Sequence, residues 1–222
     1  MKTLLLFLAT IIFVSCNSQK NKFDKGKLEG NIYSNHYFGL KVKVDTPWHI
    51  LNMNEIKKLM SERTEMMDEA AGNGSDYQRR LQEQADMAEN SKADLSKTTH
   101  IFLSLTIDTV ETMPHVLISS IDLAHIQGIK SETDHLVDYV KQTKKTYETY
   151  PVEISSSEVG KEKIGEKIFY TVLLTIKAEN FLAFQKKHVL KVDDKFLSIM
   201  TNYNSDISKK KCSDLLDNIE WK

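Results

Sequence analysis

Between Phe38 and Val44 the chain alternates strictly: Phe38, Leu40, Val42 and Val44 are apolar, and the intervening positions are glycine or lysine. A period of two predicts a strand with one buried face. Pro47 ends it, because proline cannot donate to a ladder, and Trp48 offers a large apolar surface at the corner. The period then changes. Asn54 is placed to cap a helix whose stripe runs through Ile56, Leu59, Met60, Arg63, Met66 or Met67, and Ala70. The run "GNGS" at 72–75 breaks that helix, and a more polar one follows from Asp76 to about Asp94, with Tyr77, Leu81, Ala85 and Ala88 as its thin apolar side. Residues 54–95 thus read as an inserted helical hairpin.

Alternation returns in Ile101, Leu103, Leu105 and Ile107, and again in Leu117, Ser119, Ile121 and Leu123. The two predict an antiparallel pair with both odd-numbered sets on one face. Ser131 opens a helix carrying Leu136, Val140, Thr143 and Tyr147, which ends before Pro151. The final third is strongly β: Ile168 to Ile176 alternate, a turn falls at Glu179 and Asn180, "AFQKKHVLKV" returns, and Asp193 and Asp194 turn the chain into "KFLSIMTNY". Ser205 or Asp206 caps a closing helix. Strands interrupted and followed by helices, without βαβ alternation, predict an α+β fold built on an antiparallel sheet.

The N-terminus follows a different logic. Lys2 precedes an apolar run, Leu4 to Val14 with Thr10 inside it, too short for the roughly 20 residues needed to span a bilayer. It predicts a signal peptide over residues 1–15. The run closes on "FVSC", which resembles the bacterial lipoprotein box. That resemblance implies cleavage before Cys16 and lipidation of its thiol, palmitate among the acyl chains, so that the mature protein is held at a membrane by two or more chains. Residues 16–31, polar and lysine-bearing, read as a flexible stalk, and residues 32–222 as one domain. Asn17 stands where the enteric lipoproteins retained in the inner membrane carry aspartate. The comparison implies a cell-envelope protein of the outer membrane, and the basic stalk favours a periplasm-facing orientation.

Charge and cysteine content narrow the function. A formal net charge of −1 offers no field for phosphate, so nucleic acid is not an expected partner. With Cys16 lipidated, Cys212 has no disulfide partner; its spacing with Leu215, Leu216 and Ile219 places it in the apolar stripe of the last helix, as a buried thiol. No G-x-S-x-G, Walker, H-E-x-x-H, C-x-x-C or G-x-G-x-x-G pattern occurs. A catalytic role and a cofactor are therefore not expected.

Two stretches, "NHYFGLKVKVDTPW" near the start and "KFLSIMTNYNSDISKKKCSDLLDNIEW" at the end, resemble the PsbP/DcrB-like domains. The likeness would extend from Tyr33 to Trp221. Pro47 adjoins Trp48 where family members place a spacer, and the methionine-bearing hairpin reads as an insertion. The resemblance implies a PsbP-like α/β/α sandwich, an antiparallel sheet covered by helices on both faces. It implies no reaction, because the fold serves accessory subunits and binding modules.

Candidate binding chemistry lies in side chains that fit no enzyme motif. Trp48, Met60, Met66, Met67 and Tyr77 would form a surface between sheet and hairpin for an envelope protein or a hydrophobic ligand, methionine being adaptable at such surfaces. The alternative is a metal-dependent hydrolase or metal-handling protein using His100, Asp122 and His125, which the strand pairing brings to one sheet end. His115 and His125, about 33 Å apart along an extended strand, cannot share a metal. Lysine runs at 144–145, 186–187 and 209–211 read as solvated faces.

Overall fold

The computed structural model describes residues 23–52, 54–56, 58, 99–107, 113–126, 128–148, 150–179 and 181–222, with the backbone alone at His125. Cys16, the preceding leader, Met60, Met66, Met67 and Tyr77 lie outside the described residues.

Two antiparallel sheets carry the architecture. The smaller runs β1 (Lys27–Glu29), β2 (Ile32–Asn35), β3 (Leu40–Lys43) and β12 (Ile219–Trp221), in the order β1-β2-β3-β12. The larger comprises β4 (His49–Ile50), β5 (Thr99–Thr106), β6 (His115–Asp122), β7 (Glu153–Ser156), β8 (Gly160–Ile164), β9 (Lys167–Ala178), β10 (Phe181–Val192) and β11 (Lys195–Tyr203). Its order is β4-β5-β6-β11-β10-β9-β7, with β8 also paired to β9. Helix α1 (Glu132–Thr146) precedes β7, and α2 (Asp206–Asp217) separates β11 from β12.

Both helices begin where the sequence predicts. Ser131 accepts a hydrogen bond from the Asp134 amide while the Asp134 carboxylate accepts from the Ser131 amide, a capping box that satisfies two otherwise orphaned donors. Ser205 and Ser208 make the same reciprocal pair at α2. The helical turn at Asn54 differs from expectation: its cap is Asn52, whose Oδ1 accepts from the amides of Asn54 and Glu55. Glu55 returns the bond to the Asn52 amide at 2.7 Å.

Each face of the large sheet has its own core. On one side Leu103, Leu105, Val116, Ile118, Leu197 and Ile199 pack with Leu40 and Val42 of the small sheet and with Cys212 and Leu215 of α2. On the other, Leu136 of α1 meets Val172, Val189, Ile121 and Phe196. Helix α1 covers one face, whereas the other is shared by the small sheet and α2, so the covering is not by helices alone. Pairing across a large sheet also explains why β9, β10 and β11 bury residues of both parities: Phe169 and Val172 point to opposite sides, and both are out of water.

Three further expectations change. Leu103 and Leu105 lie opposite Ile118 and Val116, because a register shift between Ile101 and Leu103 turns Ile101 to the other face; the odd-numbered sets of β5 and β6 therefore part. Residues 23–31, read as part of the stalk, pack on the domain, with β1 paired to β2 and the Tyr33 hydroxyl donating to the Lys25 carbonyl at 2.8 Å. The closing helix stops at Asp217, and Ile219 belongs to β12, opposite Val42.

Candidate functional site

Trp48 occupies a cleft where the β3 to β4 corner meets α2. Strand β3 delivers Lys43 and Val44, and the chain turns at Asp45, whose carbonyl accepts from the Trp48 amide at 3.0 Å. Asp45 is held from two sides, by Asn31 Nδ2 at 3.0 Å and by Lys43 Nζ at 2.9 Å. From the opposite wall, Lys211, Asp214 and Leu215 project at helical spacing, with Asn218 at the helix end, and Ile107 closes the cleft from the end of β5. The cleft is open to solvent and has a volume of about 210 Å³.

Its chemistry is amphipathic. Trp48, Pro47, Ile107 and Leu215 supply apolar walls, while Lys43, Asp45, Lys211 and Asp214 set both signs of charge around the mouth. Trp48 is only half-buried. An indole in that position contributes a large contact area at little entropic cost to whatever covers it.

The histidines and acid of the metal alternative lie at the other end of β6. His100 packs against Phe23 at 5.1 Å between ring centroids, the rings tilted by 37°. Burial lowers its basicity, Lys25 and Lys195 lower it further, and Asp122 acts in the opposite sense. Asp122 has its own partners: Oδ2 lies 2.6 Å from Lys195 Nζ, and Oδ1 accepts from the Ala124 amide at 3.0 Å. His125 ends the short 3₁₀ turn that Asp122 caps, and its side chain lies outside the described residues. Among the described residues, no group of three or more His, Cys, Asp or Glu side chains is arranged to hold a metal ion.

A second constellation had no motif to announce it. On the α1 side of the large sheet, hydrogen bonds run across four strands: Ser104 Oγ to His115 Nε2 at 2.8 Å, His115 Nδ1 to Asn202 Nδ2 at 3.3 Å, and Asn202 Oδ1 to Gln185 Nε2 at 2.7 Å. The Tyr139 hydroxyl of α1 donates to Gln185 Oε1. Because the Asn202 amide donates to Nδ1, the proton of neutral His115 sits on Nε2, facing Ser104.

Beside this row lies Lys187, only 9% exposed. Its Nζ stands 4.1 Å from the centroid of the Tyr139 ring. Burial brings its ammonium down to about 8, against which Asp138 acts. The neighbouring His135, 8% exposed, packs against Phe196 at 5.2 Å between centroids and keeps an Nε2 with no hydrogen-bond partner. Burial, then the charge of Lys187, push His135 down to about 3. The lysine run at 186–187 is thus only half a solvated face. Alternation along β10 puts Lys187 with Gln185 and Val189 under α1, whereas Lys186 turns to the opposite side and pairs with Glu162 at 2.6 Å. That alternation was the available signal, masked by two adjacent charges.

On that opposite side, His188 is fully buried, its Nδ1 donating to the Ile199 carbonyl at 3.2 Å and its Nε2 facing Glu162 Oε2 at 2.8 Å. The hydrogen bond from His188, joined by Lys186, holds the Glu162 carboxyl down at about 2 against an opposing effect of burial.

No protein-family model and no curated protein matches the sequence. In three dimensions the chain is similar to cyanobacterial PsbP (CyanoP) from Synechocystis sp. PCC 6803, known from a solution structure. The TM-score is 0.51 at 8% sequence identity, over 89% of this chain and 98% of that one. The fold is accordingly PsbP-like, a mostly β member of the α+β class. At that identity the likeness carries the fold and no activity.

Proposed function

We propose that this is a lipid-anchored envelope protein whose PsbP-like domain binds a protein partner or a hydrophobic ligand at the Trp48 cleft, without catalysing a reaction. The observation that carries the reading is the cleft itself, an apolar floor of Trp48, Pro47, Ile107 and Leu215 ringed by charges of both signs. Such a surface suits an amphipathic segment with an apolar anchor and a polar flank. The leader ending at "FVSC" supplies the anchor, through Cys16, and the domain follows within a few residues. Attachment there would keep the cleft at a membrane surface, on the periplasmic side of the outer membrane. Among the described residues no helix is long and apolar enough to cross a membrane.

The test separates anchor from cleft. Cells fed labelled palmitate should label the wild-type protein and not Cys16→Ser. A photoreactive phenylalanine analogue at position 48 should cross-link a discrete species in native membranes, and competition by excess wild-type domain should remove it, whereas competition by the Trp48→Ala domain should not. Equal competition by both domains refutes the cleft as the binding surface.

A further inference from the structure

Lys187 is a buried amine in a setting that favours covalent chemistry, independent of the Trp48 cleft. Its cross-strand neighbours are Val172 on β9 and Met200 on β11, both apolar. From α1 it faces the Tyr139 ring, with Asp138 and His135 nearby. Among the described residues, no carboxylate lies within ion-pair distance of its Nζ, and the ring of Tyr139 takes the place of a counter-ion. Buried lysines are otherwise neutralised by an acid. Next to it, His135 Nε2 is a buried polar atom without a partner.

We propose that Lys187 forms a Schiff base with a small, uncharged aldehyde. The Lys187 ammonium first releases one proton to solvent, and the neutral Nζ attacks the carbonyl carbon as the C=O π pair moves to oxygen. One proton passes from the attacking nitrogen to that oxygen, giving the neutral carbinolamine, whose hydroxyl donates a hydrogen bond to His135 Nε2. The hydroxyl takes back from solvent the proton first released and leaves as water, while the nitrogen lone pair closes the C=N bond. Ammonium and aldehyde thus become iminium and water, and the single positive charge stays on the nitrogen. That conservation of charge is what the surroundings suit, since the Tyr139 ring and Asp138 stabilise the iminium as they do the ammonium. A charge-inverting adduct such as a carbamate would meet the ring face and Asp138 unfavourably. The apolar packing of Leu136, Val172, Val189 and Phe196 restricts water, which protects the adduct from hydrolysis. Desolvation as the means of activating a lysine is an established route to imine chemistry.

Lys186 provides a control in the same peptide, on the opposite face of the strand. Intact protein is treated with acetaldehyde and sodium cyanoborohydride at pH 7, the hydride trapping the iminium as an ethylamine, and modification at each lysine is followed by peptide mass mapping. Lowering an amine from 10.5 to about 8 raises its free-base fraction at pH 7 by roughly 300-fold. Allowing for the weaker nucleophile and restricted access, Lys187 should ethylate about tenfold faster than Lys186. The preference should vanish in 8 M urea, and the Lys187 rate should level off near pH 8. Ethylation of Lys187 no faster than that of Lys186, or a preference that survives urea, overturns the proposal. In folded His135→Phe, Lys187 alone should slow, with Lys209 unchanged; an unchanged Lys187 rate removes His135 from the step.

Discussion

Lys195 Nζ lies 2.6 Å from Asp122 Oδ2 across the β6 to β11 pair and 4.7 Å from the centroid of the Phe23 ring, so one ammonium joins two strands to Phe23. The side chains of the pair are 8% and 19% exposed. Removing the acid leaves a largely buried cation with only the exposed Asp194 carboxylate, 4.0 Å away, to face it, which costs more than losing a surface pair. Asp122→Ala should therefore lower the unfolding free energy in urea by about 3 kcal/mol, and Lys195→Met in the same chain should restore part of it. Asp45→Ala, which opens an ion pair with side chains 58% and 50% exposed, is the comparison and should cost under about 1 kcal/mol.

Glu162 makes stability depend on acid. Its folded carboxyl sits at about 2 where an unperturbed one sits at 4.5, through the hydrogen bond from His188 and the charge of Lys186. Above the unfolded value both states are ionised and the stabilisation is complete. As pH falls from 4.5 toward 2 the unfolded chain takes up the proton first, and the stabilisation disappears. The side chain is 41% exposed, so solvent screening reduces the effect to about 1 kcal/mol. Urea titrations at pH 6 and pH 3 should show that loss in the wild type, in addition to the general acid effect. Glu162→Gln should be less stable than wild type at pH 6, and the gap should narrow by roughly half at pH 3.

Elements with a long, clear period were legible in the sequence: β5, β6, β9 to β11 and both capped helices follow from alternation or from serine at the N-cap. What was not legible had too few residues to show a period, or depended on distant partners. Ile219–Trp221 is a strand only because Leu40 to Val42 lies beside it. Residues 23–31 hold little apolar surface, and their order comes from pairing to β2 and from Phe23 lodging among Tyr37, His100 and Phe102. The bulge between Ile101 and Leu103 changed the register without a glycine to mark it. Trp48 was readable as a large apolar side chain at the corner after Pro47, and the structure sets it in a cleft. The opposite wall, from α2, is separated from it by more than 160 residues of sequence and had no local signature.

Cys212 is inert in the folded protein. It is 2% exposed, its Sγ lies 3.9 Å from the Asn202 carbonyl oxygen, and burial pushes the thiol up to about 12. At pH 8 the thiolate fraction is about a thousandfold below that of an ordinary cysteine, before access is considered. In a Cys16→Ser chain, maleimide labelling at pH 8 should proceed only as fast as the domain unfolds, and stabilising or destabilising substitutions should move the labelling rate with the unfolding equilibrium. Fast labelling without unfolding would place the thiol at the surface.

Gly165 joins the turn between β8 and β9 to the end of the chain. Its φ of +56° lies in the left-handed region that glycine tolerates, and a Cβ there would stand 2.6 Å from Trp221 Nε1. That indole has no room to yield, because Nε1 donates to the Ile164 carbonyl at 2.9 Å and the ring packs on Phe169 at 5.7 Å between centroids. Gly165→Ala adds backbone strain and a clash, and should destabilise by about 2 kcal/mol or more in urea unfolding. Trp221→Ala removes the two nearest atoms and leaves the Ile219 carbonyl at 3.2 Å, so the glycine substitution made in that background should cost mainly its backbone share, near 1 kcal/mol. Additivity of the two changes to within about 0.5 kcal/mol would show that the indole does not set the requirement for glycine.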